Sequence, residues 1–140
     1  MPDNVITIGS GVFINCAALT NVVIPSSVTS IGDSVFRNCT NLTSVTIPDS
    51  VMSIGDYAFY FNLNLIHVII GNSVISIGDS AFRQCIKLAT VQFKGNAPTT
   101  VEENAFADVA SGCKTIVYPN ATGFPTEGEL WNGLIVEIAS

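Results

Sequence analysis

Three cysteines recur at one place in a periodic sequence and are the first residues to test for chemistry. Cys16, Cys39 and Cys85 follow a spacing of 23 residues, with Asn62 at the intermediate place. On stacked turns of chain about 4.8 Å apart, Cys85 lies roughly 10 Å from Cys39, so one metal ion cannot bind both. Parallel stacked side chains also rarely give the torsion of a disulfide. We therefore predict buried thiols that pack as small hydrophobic groups.

Two other kinds of residue suggest chemistry. His67 is the only histidine and has no carboxylate or cysteine at the neighbouring repeat places, so it is predicted to be a surface residue rather than a catalytic base or metal ligand. Cys113 lies outside the cysteine series and is a candidate for an exposed thiol.

An aspartate also recurs every 23 residues, at Asp33, Asp56 and Asp79. Each precedes a short segment that ends in phenylalanine, which indicates one helical turn whose first N–H groups the carboxylate caps. Calcium binding is the alternative, but each repeat offers only one carboxylate where calcium needs six or more oxygen ligands. We favour the helix cap.

The element that positions these residues is a 23-residue unit. Four units run over 5–27, 28–50, 51–73 and 74–96 and are called coils one to four; a degenerate coil five covers 97–119. A fixed period of this length, with apolar residues in phase, is typical of a solenoid in which each coil buries its inner face against its neighbours. The repeated apolar residues are Ile8, Ile31, Ile54 and Ile77; Phe13, Phe36, Phe59 and Phe82; and Leu19, Leu42, Leu65 and Leu88.

Each coil contains two short extended segments. The pattern L-x-x-V-x-I-P predicts a strand that joins a parallel sheet on one wall, and V-x-S-I-G predicts a second extended piece on the opposite wall. The glycine after the isoleucine is expected to allow a tight corner or a positive φ. In coil five, after a one-residue insertion, Ile116 and Tyr118 are predicted to take the inward strand places.

The two ends differ. Residues 120–140 have no repeat but carry large apolar side chains, so they are predicted to cap the last coil, and 1–119 to form the array. Pro2-Asp3-Asn4-Val5 aligns with Pro25-Ser26-Ser27-Val28, which predicts that the chain begins in the tail of a preceding coil and is a fragment of a longer array.

Composition excludes several classes. The chain has 140 residues, 48% hydrophobic and 11% charged, which excludes disorder and permits one continuous core. Its net charge of −6, with five scattered basic residues, argues against nucleic acid and an anionic membrane surface. No apolar run reaches the roughly 18 to 20 residues of a membrane helix, so no membrane insertion is expected.

The sequence VTSIGDSVFRNCTNLTSVTIP at 28–48 resembles the BspA-like leucine-rich repeat family of bacterial and protist surface proteins. The resemblance implies a β-dominant α/β solenoid: a right-handed array of about five coils, with a parallel sheet on one wall and short extended and single-turn helical segments on the other. It also implies a cell-surface or secreted protein that binds other proteins.

The candidate binding surface consists of outward residues. Two rows are predicted along the strands, and coil three adds apolar and aromatic residues where coil two has polar ones. The rows are Asn21, Ser44, His67 and Thr90, and Val23, Thr46, Ile69 and Gln92; the coil-three residues are Tyr57, Tyr60, Phe61, Ile66 and Ile69.

The leading hypothesis is a non-enzymatic module that binds or adheres to another protein, of the host or of a cell surface, and uses no cofactor. A structural spacer or a stalk that self-associates through the open N-terminal coil is the alternative. Glycan binding is a weaker one, which fits the neutral polar residues and nearby tyrosines. No nucleophile, base and orienting carboxylate share a place in the repeat, so an enzyme is not predicted.

Overall fold

The computed structural model describes residues 1–140 as a solenoid with eleven β-strands and no helix. Five two-residue strands form one parallel sheet, called the short-strand sheet. Six strands form a second sheet, called the long-strand sheet, in the order β10-β11-β9-β7-β5-β3. The short-strand sheet contains β1 (Thr7–Ile8), β2 (Ser30–Ile31), β4 (Ser53–Ile54), β6 (Ser76–Ile77) and β8 (Thr100–Val101). The long-strand sheet contains β3 (Ser44–Ile47), β5 (His67–Ile70), β7 (Thr90–Phe93), β9 (Lys114–Val117), β10 (Leu130–Trp131) and β11 (Leu134–Ile138).

The predicted parallel sheet and opposite extended wall are both confirmed. Val45 pairs with Val68, and Val68 with Val91, so equivalent residues of successive coils lie side by side. Because side chains alternate across a strand, these valines point inward and their neighbours outward, which gives the alternating exposure of β3.

The core between the walls is a stack of identical side chains. Phe13, Phe36, Phe59, Phe82 and Phe106 form a column with ring centroids 5.1–5.4 Å apart and planes within 16° of parallel. Leucines, isoleucines and valines of the repeat fill the rest of one continuous cluster of 32 buried residues. The repeated apolar residues therefore act as predicted.

The predicted helical turns are wrong. The turn wall consists of segments 10–18, 33–41, 56–64, 79–87 and 103–111. Each segment has left-handed residues at two places, for example Ser34 (φ 56°) and Asn38 (φ 60°). A right-handed helix cannot continue through such residues. Alternate N–H groups instead bond to the next coil: Phe36 N–H donates to the carbonyl of Ala58 at 2.8 Å, and Asn38 N–H to that of Tyr60 at 2.8 Å.

The glycine after the isoleucine has a different role from the one expected. Gly32, Gly55 and Gly78 do not have positive φ values. A Cβ on Gly55 would lie 2.7 Å from the backbone nitrogen of Asp33 and from the carbonyl carbon of Gly32. Glycine is therefore needed because two coils approach too closely for a side chain.

The predicted strand register of coil five is wrong by one residue. Thr115 pairs with Val91 and Val117 with Phe93, so these two side chains are buried, whereas Ile116 and Tyr118 face outward. Because of the single insertion, the inward residues of coil five follow their coil-four equivalents by 24 residues, whereas the predicted register requires 25. One consequence is that the buried hydroxyl of Thr115 has no hydrogen-bond partner.

The C-terminal residues complete the stack. Strand β11 pairs in parallel with β9, and β10 turns back antiparallel to cover the outer edge of β11. Trp131 closes the core, with its ring centroid 5.0 Å from Phe124, 5.2 Å from Phe93 and 6.0 Å from Phe106. Counting the isolated bridge of Val23 to Thr46 and leaving out the antiparallel β10, the long-strand sheet has six parallel levels along its stack, one more than the predicted five coils.

The N-terminal coil is packed on one side only. Phe13, Cys16, Leu19 and Val22 are half-buried, although their equivalents in coils two to four are buried. Ile6, Val12 and Ile14 are exposed nearby. This end therefore presents an apolar surface.

Candidate binding surfaces

At the repeat place of the cysteines, side chains donate hydrogen bonds to backbone carbonyls of the preceding coil. The thiol of Cys39 donates to the Phe13 carbonyl and that of Cys85 to the Phe59 carbonyl, both at 3.2 Å. Asn62 uses its amide group in the same way, donating to the Phe36 carbonyl at 2.8 Å. Burial raises the pKa of the Cys39 thiol and raises that of Cys85 to about 12, so both remain protonated donors at neutral pH.

Cys113 is buried rather than exposed, so that expectation is wrong. Its exposed fraction is 2%, and its backbone carbonyl accepts from the N–H of Ile135 in the C-terminal segment. Burial raises the pKa of Cys113 to about 11. The sequence did not reveal that Cys113, immediately before β9, lies next to Ile135 of the adjacent strand β11.

The aspartates connect coils instead of capping helices, which corrects the predicted role. Oδ1 of Asp33 accepts the N–H of Asp56 at 2.9 Å, and Oδ1 of Asp56 accepts the N–H of Asp79 at 2.8 Å. No group of three or more histidine, cysteine or acidic residues lies close enough to hold a metal ion. The carboxylates of Asp33 and Asp56 are thus engaged by backbone donors of the following coil, whereas that of Asp79 accepts the Ser80 hydroxyl at 3.3 Å.

The outward side of the long-strand sheet carries the two predicted rows in register. Ser44, His67 and Thr90 stand side by side, and Nδ1 of His67 is 2.6 Å from Oγ1 of Thr90. No carboxylate joins this pair. The first row continues to Lys114, whose ammonium group forms an ion pair with the carboxylate of Glu137 in β11.

The second row alternates apolar and polar side chains. Thr46, Ile69 and Gln92 are adjacent, and Val23, bridged to Thr46, is 76% exposed. Gln92 donates to the hydroxyl of Tyr118 at 3.4 Å. Asn21 lies exposed two residues before Val23, next to the first row.

The coil-three residues divide between two walls. Tyr57, Tyr60 and Phe61 lie on the turn wall, where Tyr60 contacts Tyr57 (ring centroids 5.5 Å apart) and Phe61 (6.0 Å). Ile69 lies on the sheet, and Ile66 is exposed immediately before β5. The residues point outward, as predicted, but they lie on two different walls and do not form one patch.

Tyr60 and Phe61 line a groove of about 470 Å³ on the turn wall, called the aromatic groove. Its other lining residues are Ile14, Asn15, Arg37 and Asn38. Asn38 donates to the Asn15 side-chain oxygen at 2.8 Å, and the Arg37 guanidinium lies 5.4 Å from the centre of the Tyr60 ring. Arg37 was not predicted as a site residue from the sequence. Its place one repeat before Tyr60 is the signal, because residues one repeat apart lie next to each other.

The structure contains no helical segment that could span a membrane.

The comparisons with known proteins agree with this architecture. A family model described as the BspA type leucine rich repeat region matches residues 4–126 in six copies. A crystal structure of a T. pallidum leucine rich repeat protein is similar, with a TM-score of 0.69 and 28% sequence identity over 81% of this chain and 52% of that chain. The chain thus spans about half the length of that relative. No curated protein matches it. Because the family model covers most of the sequence and the repeats it describes are those of the solenoid, the chain belongs to the BspA-type leucine-rich repeat family.

Proposed function

We propose that the protein is a non-enzymatic module that binds another protein, in an adhesive role at a cell surface or in secreted form. The observation that carries the proposal is the outward side of the long-strand sheet. There, two rows of side chains run in register over successive coils, and no part of the chain covers them.

The chemistry of the rows suits protein recognition. Ser44, Thr46 and Thr90 are short and neutral, so binding there depends on shape and hydrogen bonds rather than on electrostatic steering. Leucine-rich repeat domains commonly mediate protein–protein interaction, and this repeat type is typically surface-associated. Repeat folds of this kind are generally scaffolds rather than enzymes.

The test compares the sheet with the opposite wall. Thr46→Arg combined with Ile69→Arg places two bulky charges on the rows, and Ile75→Arg, at an exposed residue beside the short-strand sheet, is the control. We expect at least one protein in a panel of purified extracellular proteins to bind the wild type and the control but not the double variant, by biolayer interferometry. No binding across the panel, or equal loss in the control, contradicts the proposal. Binding only on a glycan array supports the glycan alternative.

A self-associating stalk is the second candidate, and the open N-terminal end favours it. Exposed Ile6, Val12 and Ile14 border half-buried Phe13, which gives an apolar end face that a second copy can cover. Light scattering over a concentration series should then show a dimer that Val12→Asp dissociates. Ile86→Asp, at a similarly exposed isoleucine of coil four, should leave the dimer intact. A monomer at every concentration excludes this candidate.

A further inference from the structure

We propose that the aromatic groove is a second binding site, which takes an extended segment of a partner protein carrying a carboxylate beside an apolar side chain. It lies on the turn wall and not on the outward side of the long-strand sheet, so it goes beyond the function proposed above. Arg37 supplies the charge, and Tyr60, Phe61 and Ile14 supply the apolar contact.

The availability of Arg37 is the first argument. Of the five basic residues, Arg83 pairs with Asp108 and Lys94 with Asp49. Lys114 pairs with Glu137, and Lys87 donates to the side-chain oxygen of Asn64 at 2.7 Å. Arg37 has no acidic partner. In a chain of net charge −6, it is a guanidinium left free to bind a carboxylate.

The position of Arg37 prepares it for that role. Its guanidinium stacks 5.4 Å from the centre of the Tyr60 ring, which restrains the side chain and leaves the N–H groups at its edge available. The Tyr60 hydroxyl donates a hydrogen bond to the side-chain oxygen of Gln84 at 3.3 Å, which restrains the ring. A planar guanidinium restrained in this way matches the two oxygens of a carboxylate.

The backbone gives an independent reason to assign function to Phe61. Its φ is 62°, a left-handed conformation that bulky side chains rarely adopt. The equivalent residues of coils one, two and five are Asn15 (φ 60°), Asn38 (φ 60°) and Asp108 (φ 57°), which tolerate this conformation, and coil four has Gln84 (φ 59°). Coil three therefore places an aromatic residue, 37% exposed, where it strains the backbone. In the proposed complex, a contact between the exposed ring and the partner segment offsets this strain.

The dimensions fit a short extended segment. Three successive coils each contribute two neighbouring residues, so the floor spans roughly 10 Å at about 4.8 Å per coil. An extended peptide rises about 3.3 Å per residue, so three or four residues cover it. One carboxylate and one apolar side chain then fall within reach of Arg37 and Phe61.

The probe is a phage-displayed library of random dodecapeptides selected on the wild-type chain. We expect enriched peptides to share Asp or Glu within two residues of a large apolar residue. By fluorescence anisotropy, Arg37→Gln and Phe61→Asn should each raise the Kd of these peptides at least tenfold. Replacing the peptide's acid by its amide should have a similar effect.

A matched control separates the groove from general charge effects. Arg83 occupies the repeat place of Arg37 two coils later but pairs with Asp108, so Arg83→Gln changes the net charge equally and should leave Kd within twofold. Far-ultraviolet circular dichroism checks that each variant is folded. Thr46→Arg with Ile69→Arg should bind the peptides normally, so failure of the sheet surface and failure of the groove are distinguishable. No enrichment, enriched peptides without an acid, or equal loss in Arg83→Gln would overturn the proposal.

Discussion

Coils two and three have the same backbone but differ in what they present to solvent. Their inward phenylalanines and leucines are identical and buried, and equivalent strand residues pair directly. Their outward residues change from polar to apolar or aromatic. The changes are Ser34 to Tyr57, Arg37 to Tyr60, Asn38 to Phe61, Thr43 to Ile66 and Thr46 to Ile69. Inward places therefore specify the solenoid, whereas outward places are free to differ, and it is to these outward residues that we assign recognition in our proposal.

The largest effect is expected inside the stack. Phe59→Ala removes a buried ring that stacks on Phe36 and Phe82, and should cost about 3–5 kcal/mol of unfolding free energy. Phe13→Ala, at the half-buried end of the same column, should cost less because its ring has a stacked neighbour on one side only. Urea unfolding followed by circular dichroism measures both. Equal losses would contradict the view that burial by both neighbouring coils stabilises each unit.

The next effect concerns the approach between coils. In Gly55→Ala the new Cβ meets backbone atoms at 2.7 Å, so coils two and three must separate, at a cost of about 1–3 kcal/mol. Gly9→Ala is the matched control, since its nearest contact is the Val12 side chain at 3.8 Å. It should leave the melting temperature nearly unchanged. If both variants lose the same stability, the glycine is required for another reason.

A comparable effect on the unfolding free energy is expected at Asn62. Asn62→Ala removes the donor to the Phe36 carbonyl and should cost about 1–3 kcal/mol, because a buried acceptor is left unpaired. Asn62→Cys restores the residue of coils two and four and its weak S–H donor, and also removes the unpartnered Oδ1 of Asn62. It should therefore be more stable than Asn62→Ala. A cysteine variant as unstable as the alanine variant would show that the thiol bonds of Cys39 and Cys85 contribute nothing.

The sequence was sufficient for the array because its inward residues repeat without interruption. The repeat spacing alone predicted the sheet, the opposite wall and the burial of Cys39 and Cys85, whereas Cys16 in coil one is only half-buried. The predicted helical turns of the turn wall were wrong because a helical turn and a segment that includes left-handed residues have similar apolar spacing. Only the hydrogen-bond acceptors of the backbone N–H groups distinguish the two. The strand register predicted for coil five was wrong because the insertion leaves two adjacent registers possible. The sequence favoured the wrong one because threonine, here Thr115, is unexpected at a buried place.

The candidate surfaces were less predictable for a physical reason. Outward residues carry no periodic constraint, so the sequence shows that Tyr60 and Ile69 differ from their neighbours but not that they lie on different walls. Arg37 became a candidate only when its lack of an acidic partner was known, which depends on the positions of all the carboxylates.

The central claim is that outward residues of coil three serve recognition at the expense of stability. Its most direct test is the unfolding free energy of Phe61→Asn. The substitution restores the residue of coils one and two at a φ of 62° and should stabilise the fold by roughly 1 kcal/mol. Ile66→Thr is the control, because it restores the coil-two residue at a place without a positive φ, and should change stability by less than about 0.5 kcal/mol. A gain for Phe61→Asn alone supports the account. A loss of stability in Phe61→Asn would show that the ring supports the fold and would contradict it.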